Sequence, residues 1–179
     1  MALTATIYNF GIELADSDRQ VYESLALRVA RHPSESDAYL LTRVLAYALE
    51  FTEGIEFSPG LSEPDEPAIW VRDLTGAIRS WIDIGSPEAA RLHKAGKAAP
   101  RVAVYTHKDP AQLISRLAGQ RIHRVETLEL YAVDRGLISG LAARLERRMA
   151  FALSVNERDL LLSIGTDTLS GPVSRYAVD

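Results

Sequence analysis

The chain of 179 residues contains no cysteine, which excludes disulfide bonds, thiolate zinc sites and a cysteine nucleophile. Its N-terminus has no basic segment followed by an apolar run, and no later stretch approaches the length of a membrane span. Basic residues do not predominate, because 20 lysines and arginines are set against 24 acidic residues and the net charge is −4. Any contact with nucleic acid must therefore come from a local basic patch. We expect a soluble cytoplasmic protein.

Common signatures of catalysis and nucleotide binding are also missing. No Ser-His-Asp arrangement can be identified, and the chain has no Walker A or G-x-G-x-x-G stretch. The four histidines are scattered without the paired spacing of a metal site. Site chemistry must therefore be sought among the carboxylates and basic residues.

The composition, 47% hydrophobic and 25% charged, suits one globular domain with a sizeable core. Alternating apolar residues predict a strand over residues 6–14. Residues 21–30 fit either a strand or a helix, and we favour a strand from about Tyr22, which would complete an N-terminal hairpin. A helix is predicted over residues 34–52, with Ser34 as its N-cap and an apolar stripe along one face.

Strands and helices alternate along the rest of the chain. Strands are predicted at residues 55–58, 67–72, 78–84, 101–106, 127–133, 149–155 and 158–164, and helices after Ser86 and at 110–117 and 134–147. This succession predicts an α/β fold, a single domain with a mixed central sheet over residues 1–165. Residues 166–179 are rich in turn-forming residues and are predicted to be a weakly held tail.

The hairpin over residues 67–84 is predicted to bring carboxylates together at its open end. The turn signal Asp73-Leu74-Thr75-Gly76 separates its two strands. If Asp73 pairs with Gly76, counting outward places Glu66 opposite Asp83, and a slip of one or two residues brings in Asp65 instead. Cross-strand partners have Cβ atoms roughly 5 Å apart, so two or three carboxylates are expected to crowd one corner.

A candidate metal site follows from these carboxylates. Asp65, Glu66 and Asp83 are oxygen donors of the kind that Mg²⁺ or Mn²⁺ prefers. The next helix carries Arg91 and Lys94 on one face. We expect Lys94 to point toward the carboxylates and stabilise developing negative charge, with Arg91 at the rim. In the alternative interpretation Asp65 and Glu66 are solvent-facing loop residues and Asp83 caps the following turn.

Glu35 lies in the first turn of the helix predicted from Ser34. The helix dipole favours a carboxylate at that position, which explains the residue without any function. It joins the candidate site only if this end of the helix faces the open end of the hairpin.

Four short motifs carry a resemblance: ARHPSE at residues 30–35, DEPAIW at 65–70, WIDIG at 81–85 and RLHKA at 91–95. With them the chain resembles the YaeQ family of bacterial proteins, from the opening LTATIY to about residue 165. That family is similar in fold to the PD-(D/E)XK nuclease superfamily, whose core is a helix, a three-stranded meander, a second helix and another strand. The order predicted here from Ser34 to Thr106 is the same.

The resemblance implies roles for individual residues. The superfamily's first-helix glutamate falls on Glu35, its second-strand acid on Asp65 or Glu66, and its third-strand acid on Asp83. The lysine expected two residues later falls on Gly85, so Lys94, with Arg91, is the nearby replacement.

Two functions follow from this resemblance. The first is a Mg²⁺- or Mn²⁺-dependent nuclease that hydrolyses DNA or RNA phosphodiesters, and the retained carboxylates favour it. The second is an inactive nuclease-fold module that binds nucleic acid or a transcription-related protein. The missing strand lysine and the acidic net charge favour this second function.

Overall fold

The computed structural model describes residues 4–59 and 65–178. They form two compact units: one contains the described residues up to Leu49 together with Val133–Val173, and the other contains Glu50–Ala132 and the segment from Ser174. In chain order the elements are β1 (Thr6–Asp16), β2 (Val21–Arg31), α1 (Asp37–Leu49), β3 (Ile55–Phe57), β4 (Ile69–Arg72), β5 (Ile78–Ile84), α2 (Ala89–Ala98), β6 (Arg101–Thr106), α3 (Pro110–Leu117), β7 (Glu129–Val133), α4 (Arg135–Ala142), β8 (Arg148–Asn156), β9 (Asp159–Ile164) and β10 (Asp167–Tyr176).

The sheet of the first unit begins with the N-terminal hairpin of β1 and β2. Strand β8 lies parallel to β1, and β9 and β10 follow in antiparallel order. Alternation sets the two faces: Phe10, Ile12 and Leu14 are buried, whereas Asn9 and Gly11 are exposed. Helix α1 packs against α4 and β1. The strand favoured for β2 is confirmed.

The second unit has an antiparallel meander of β3, β4 and β5. Strand β6 lies parallel to β5 and β7 parallel to β6, with α2 and α3 as the crossover helices. These helices cover a core that includes Trp81, Leu92, Val104, Leu117 and Leu130. The α/β class with mixed strand pairing is confirmed, and α1 to β6 follow one another in the predicted order.

None of the described helices is long and apolar enough to cross a membrane.

The start of α1 differs from the prediction. The helix begins at Asp37, and its cap is Ser36, whose hydroxyl accepts the Tyr39 N–H at 3.0 Å. Ser34 instead contacts the Nδ1 of His32 at 2.6 Å, so its hydroxyl is already used in the preceding turn. Glu35 therefore lies before the helix, and its placement in the first helical turn is wrong.

The prediction that residues 166–179 form a weakly held tail is wrong. Residues 167–172 pair antiparallel with β9, and the side chain of Val178 is buried in the core of the second unit. Its glycine, serine and proline resemble turn signals, but pairing with the preceding strand β9 and the burial of Val178 hold the segment in place.

Candidate functional site

The hairpin of β4 and β5 sets the position of Asp83, but in a register different from the prediction. Its turn extends to Ala77, because the Asp73 carboxylate accepts the N–H groups of both Thr75 and Ala77. The register then shifts between Val71 and Arg72, and Ile69 pairs with Ile82. Continuing that pairing places Ala68 opposite Asp83. The expected pairing of Glu66 with Asp83 is wrong. The register is shifted in the direction opposite to the slip that would have placed Asp65 opposite Asp83.

Asp83 is instead paired with a guanidinium. The carboxylate is buried, with the residue 2% exposed. It accepts Arg91 Nε on Oδ2 at 2.8 Å and Arg91 Nη2 on Oδ1 at 2.9 Å. The same Nη2 donates to the Glu66 carbonyl oxygen at 2.6 Å, and the guanidinium lies over the Trp81 ring. Arg91 therefore ties β5 to the segment before β4, rather than lying at the rim.

Lys94 contacts one of the predicted carboxylates, as expected, but in the outer part of the corner. It forms an ion pair with Asp65, and both side chains are largely exposed to solvent. Arg91 and Lys94 thus have the opposite of their predicted positions: Arg91 is at the centre and Lys94 is at the rim. The longer, forked side chain of Arg91 reaches the buried carboxylate of Asp83, and the ammonium group of Lys94 stays hydrated.

These carboxylates do not fit a resident Mg²⁺ or Mn²⁺ ion as they stand. Both Asp83 oxygens are occupied by Arg91, and Asp65 is occupied by Lys94. Glu66 has a buried Oε2 without a hydrogen-bond partner in the described part of the chain. Within residues 4–59 and 65–178, no group of three or more histidine or acidic residues could hold a metal.

Glu35 lies in the first unit, whereas the other five candidate residues lie in the second. Its carboxylate accepts Arg43 Nη2 at 3.0 and 3.1 Å and the His32 N–H at 3.0 Å. Burial raises the pKa of Glu35, although the charge of Arg43 acts in the opposite direction. The pair joins the loop before α1 to the helix itself, so the contacts of Glu35 account for it as a structural residue.

The structure contains a second polar cluster that was not predicted from the sequence. Arg101 donates to Glu50 at 2.8 and 2.9 Å and to Glu129 at 2.7 and 3.1 Å, while Tyr105 and Tyr131 donate their hydroxyls to the same two carboxylates. Burial would raise the pKa of Glu129, but the hydrogen bonds from Arg101 and Tyr131 outweigh it and hold that pKa below its ordinary value. The signal in the sequence is the spacing of Arg101 and Tyr105, which places both on one face of β6.

Basic residues gather around α2 and the loop that follows α3. This α2 basic surface consists of His93, Lys97, Arg121 and His123. The rings of His93 and His123 lie edge to face, with centroids 6.2 Å apart. Partial burial lowers the pKa of His93, and electrostatic interactions with Lys97, Arg121 and His123 lower it further. Within the described part of the chain, Lys97 and Arg121 form no ion pair or side-chain hydrogen bond.

A glycine permits this close approach. A Cβ at Gly96 would lie 2.6 Å from the carbonyl oxygen of His123, so only glycine lets the loop lie directly on α2. Arg124 adds two bonds to the end of the helix, donating to the carbonyl oxygens of Gly96 at 2.9 Å and Ala99 at 3.0 Å. The two histidines that look scattered in the sequence are therefore held together by backbone contacts.

Comparison with known proteins gives one consistent family. The family model described as YaeQ protein matches residues 1–172. The chain is 32% identical over 170 residues to the uncharacterized protein YaeQ of Salmonella typhi, covering 94% of each chain. It is also 32% identical over 164 residues to the protein of the same description from Escherichia coli K12, covering 91% of each.

Two crystal structures are similar over nearly their full length. The YaeQ protein from Pseudomonas syringae has a TM-score of 0.86 at 26% identity, with 98% of this chain and 97% of that chain covered. The YaeQ protein from Xanthomonas axonopodis pv. citri has a TM-score of 0.82 at 28% identity, with 98% and 100% covered.

Proposed function

The chain belongs to the YaeQ family, and we propose that this member binds the phosphate backbone of nucleic acid through the α2 basic surface without hydrolysing it. One observation carries the proposal. On a chain of net charge −4, Lys97 and Arg121 lie close together beside two histidines, without an acidic partner in the described residues. Cations that fold stability does not use are free to contact phosphates.

The histidines suit an anionic ligand as well. Partial burial lowers the pKa of His93, and its basic neighbours lower it further, so both disfavour the protonated imidazole. An approaching phosphate would offset that repulsion and favour the protonated ring. Binding is then expected to strengthen as the pH falls toward 6, in addition to the release of counterions from the nucleic acid.

The lack of hydrolysis rests on the carboxylate corner. The Arg91 guanidinium supplies positive charge to Asp83, at the residue where the resemblance to the nuclease superfamily implies a metal ligand. Gly85 stands where that resemblance implies the lysine. Both departures favour a binding module over a phosphodiesterase.

The test is a titration of labelled single-stranded DNA, single-stranded RNA and duplex DNA at several salt concentrations. We expect Lys97→Ala and Arg121→Ala each to weaken binding to all sequences alike and to lower the salt slope by about one. Arg79→Ala is the control, because it removes an exposed cation from β5 in the same unit. Equal losses in the control, or no binding at low salt, would contradict the proposal.

A metal-dependent phosphodiesterase is the second candidate, and the unpartnered Oε2 of Glu66 favours it. A buried carboxylate oxygen without a donor is a position that a cation could satisfy. Incubation with mixed nucleic acids and Mn²⁺ tests this candidate. Cleavage that disappears in Asp83→Ala would establish the enzyme, and intact substrates across a broad panel would exclude it.

A further inference from the structure

A shallow groove of about 540 Å³ lies on the exposed face of β2, β1 and β8 in the first unit. The strand registers place Arg28, Asn9 and Arg148 in one row across it. The two arginines are exposed, and within the described residues neither side chain has an ion pair or a hydrogen bond. Their Cα atoms are two strand spacings apart, about 10 Å. Two guanidinium groups with an amide between them suit a phosphate group.

The next row forms a floor of small residues, Ala26, Gly11 and Ala150. The chain itself does not require a glycine at position 11, because an added Cβ would lie 3.7 Å from the Ala150 Cβ, an ordinary contact. Glycine weakens the interior of a strand and often marks a place where a ligand approaches the backbone closely. The floor beside the arginines is therefore open to a flat group.

An acidic residue lies farther along the same face of β1, beyond the residues that line the groove. Glu13 follows Gly11 on the same face of β1 and accepts the Ser24 hydroxyl at 2.6 Å. It lies four residues, about 13 Å, along the strand from Asn9. A phosphate is favoured at the arginine row and disfavoured near Glu13, so the charges give a bound molecule one orientation.

From these features we infer that the groove binds a nucleotide, with its 5′-phosphate between Arg28 and Arg148 and its base over Gly11. The nucleotide is either a free mononucleotide or the 5′-phosphorylated end of a nucleic-acid strand, since both present the same groups. This site goes beyond the function proposed above. It uses residues of the other unit and does not depend on the α2 basic surface.

The experiment is isothermal titration of the full chain with four probes: adenosine 5′-monophosphate, a 5′-phosphorylated trinucleotide, adenosine and inorganic phosphate. We expect at least one phosphorylated probe to bind about tenfold more tightly than adenosine or inorganic phosphate. Tight binding of the mononucleotide identifies the free ligand as the source, and tight binding of only the trinucleotide identifies the strand end.

The variants separate binding from folding. Arg28→Ala and Arg148→Ala should each weaken the preferred probe about tenfold, whereas Arg135→Ala, an exposed arginine on α4, should have no effect. Gly11→Val should abolish binding while leaving the melting temperature unchanged or higher, because a β-branched residue suits an exposed strand position.

Three results would overturn the inference. They are the failure of both phosphorylated probes to bind, equal binding of inorganic phosphate, and full affinity in Gly11→Val. The two proposals can fail separately, because Arg28→Ala, Arg148→Ala and Gly11→Val test this groove, whereas Lys97→Ala and Arg121→Ala test the α2 basic surface.

Discussion

The pairing of Asp83 with Arg91 can be tested by removing each partner in turn. Asp83→Ala leaves Arg91 without two hydrogen bonds, but that side chain is 29% exposed and water can replace part of the loss. Hydrogen bonds to charged groups contribute about 1.5–3 kcal/mol, so we expect the free energy of unfolding to fall by about 2 kcal/mol. Arg91→Ala leaves a carboxylate that is almost fully buried, and uncompensated buried charges cost about 3–5 kcal/mol.

The assay is urea denaturation of the parent and both variants, in EDTA and again with Mn²⁺. Asp65→Ala is the matched control, because it removes a carboxylate of the same corner from an exposed ion pair, which is worth less than about 1 kcal/mol. We expect the order Arg91→Ala, Asp83→Ala, Asp65→Ala from the largest loss to the smallest. Mn²⁺ should change none of the three differences.

A cluster of mutually repelling carboxylates would give the reverse result. Like charges held together without a cation destabilise the fold, so Asp83→Ala would then be neutral or stabilising. Mn²⁺ would also stabilise the parent, by about 2.7 kcal/mol at a hundredfold excess over its dissociation constant, and would stabilise Asp83→Ala much less. Either outcome would show that Arg91 does not hold Asp83 as described, and a Mn²⁺ response would restore the metal site.

Three further predictions concern other parts of the chain. Glu35→Ala should lower the free energy of unfolding by about 3–5 kcal/mol in urea denaturation, because it removes one partner of a buried ion pair with Arg43; a loss under 1 kcal/mol would contradict the pairing. The depressed pKa of Glu129 stabilises the fold above the ordinary glutamate pKa, and this stabilisation is lost as the pH falls through the lower folded value. Glu129→Gln should therefore flatten the acid side of a plot of melting temperature against pH, and an unchanged slope would count against it. Gly54→Ala should prevent folding or lower the melting temperature sharply, because φ is +90° and the new Cβ would lie 2.1 Å from the Arg72 carbonyl oxygen; an unchanged melting curve would show that Gly54 does not approach Arg72 this closely.

Periodicity predicted the half-buried strands well, because each has one face on a core. The large apolar residues of β1 from Phe10 and of β8 from Met149 alternate, and the structure buries them. In β9 three leucines are consecutive, and the structure buries Leu160 and Leu162 but exposes Leu161. The start of α1 was harder to predict from the sequence, because Ser34 and Ser36 are equally suitable as N-cap residues. The neighbouring His32 determines which of the two hydroxyls remains for capping.

The proximity of several residues at the end of the hairpin was predicted from the sequence, but their pairings were not, and Glu35 lies in the other unit. Asp83 and Arg91, like Asp65 and Lys94, do share one corner. The prediction of the hairpin register failed because the hydrogen bonds of Asp73 lengthen the turn and a bulge follows it. A shift of this kind changes every cross-strand partner. Counting outward from a turn is therefore reliable only when the turn length is known.

The parallel pairing of β1 with β8 has a consequence for synthesis on the ribosome. Asn9 lies beside Arg148 and Asp16 beside Val155, so the first strand made must wait for partners from near the other end of the chain. At 5–20 residues per second, the interval between residue 16 and residue 148 is roughly 7–26 s. During that time the β1 edge of the N-terminal hairpin has no β8 beside it, while β3 to β7 can pair in the order in which they emerge. The unpaired edge of β1 can therefore pair with other chains until β8 has been made.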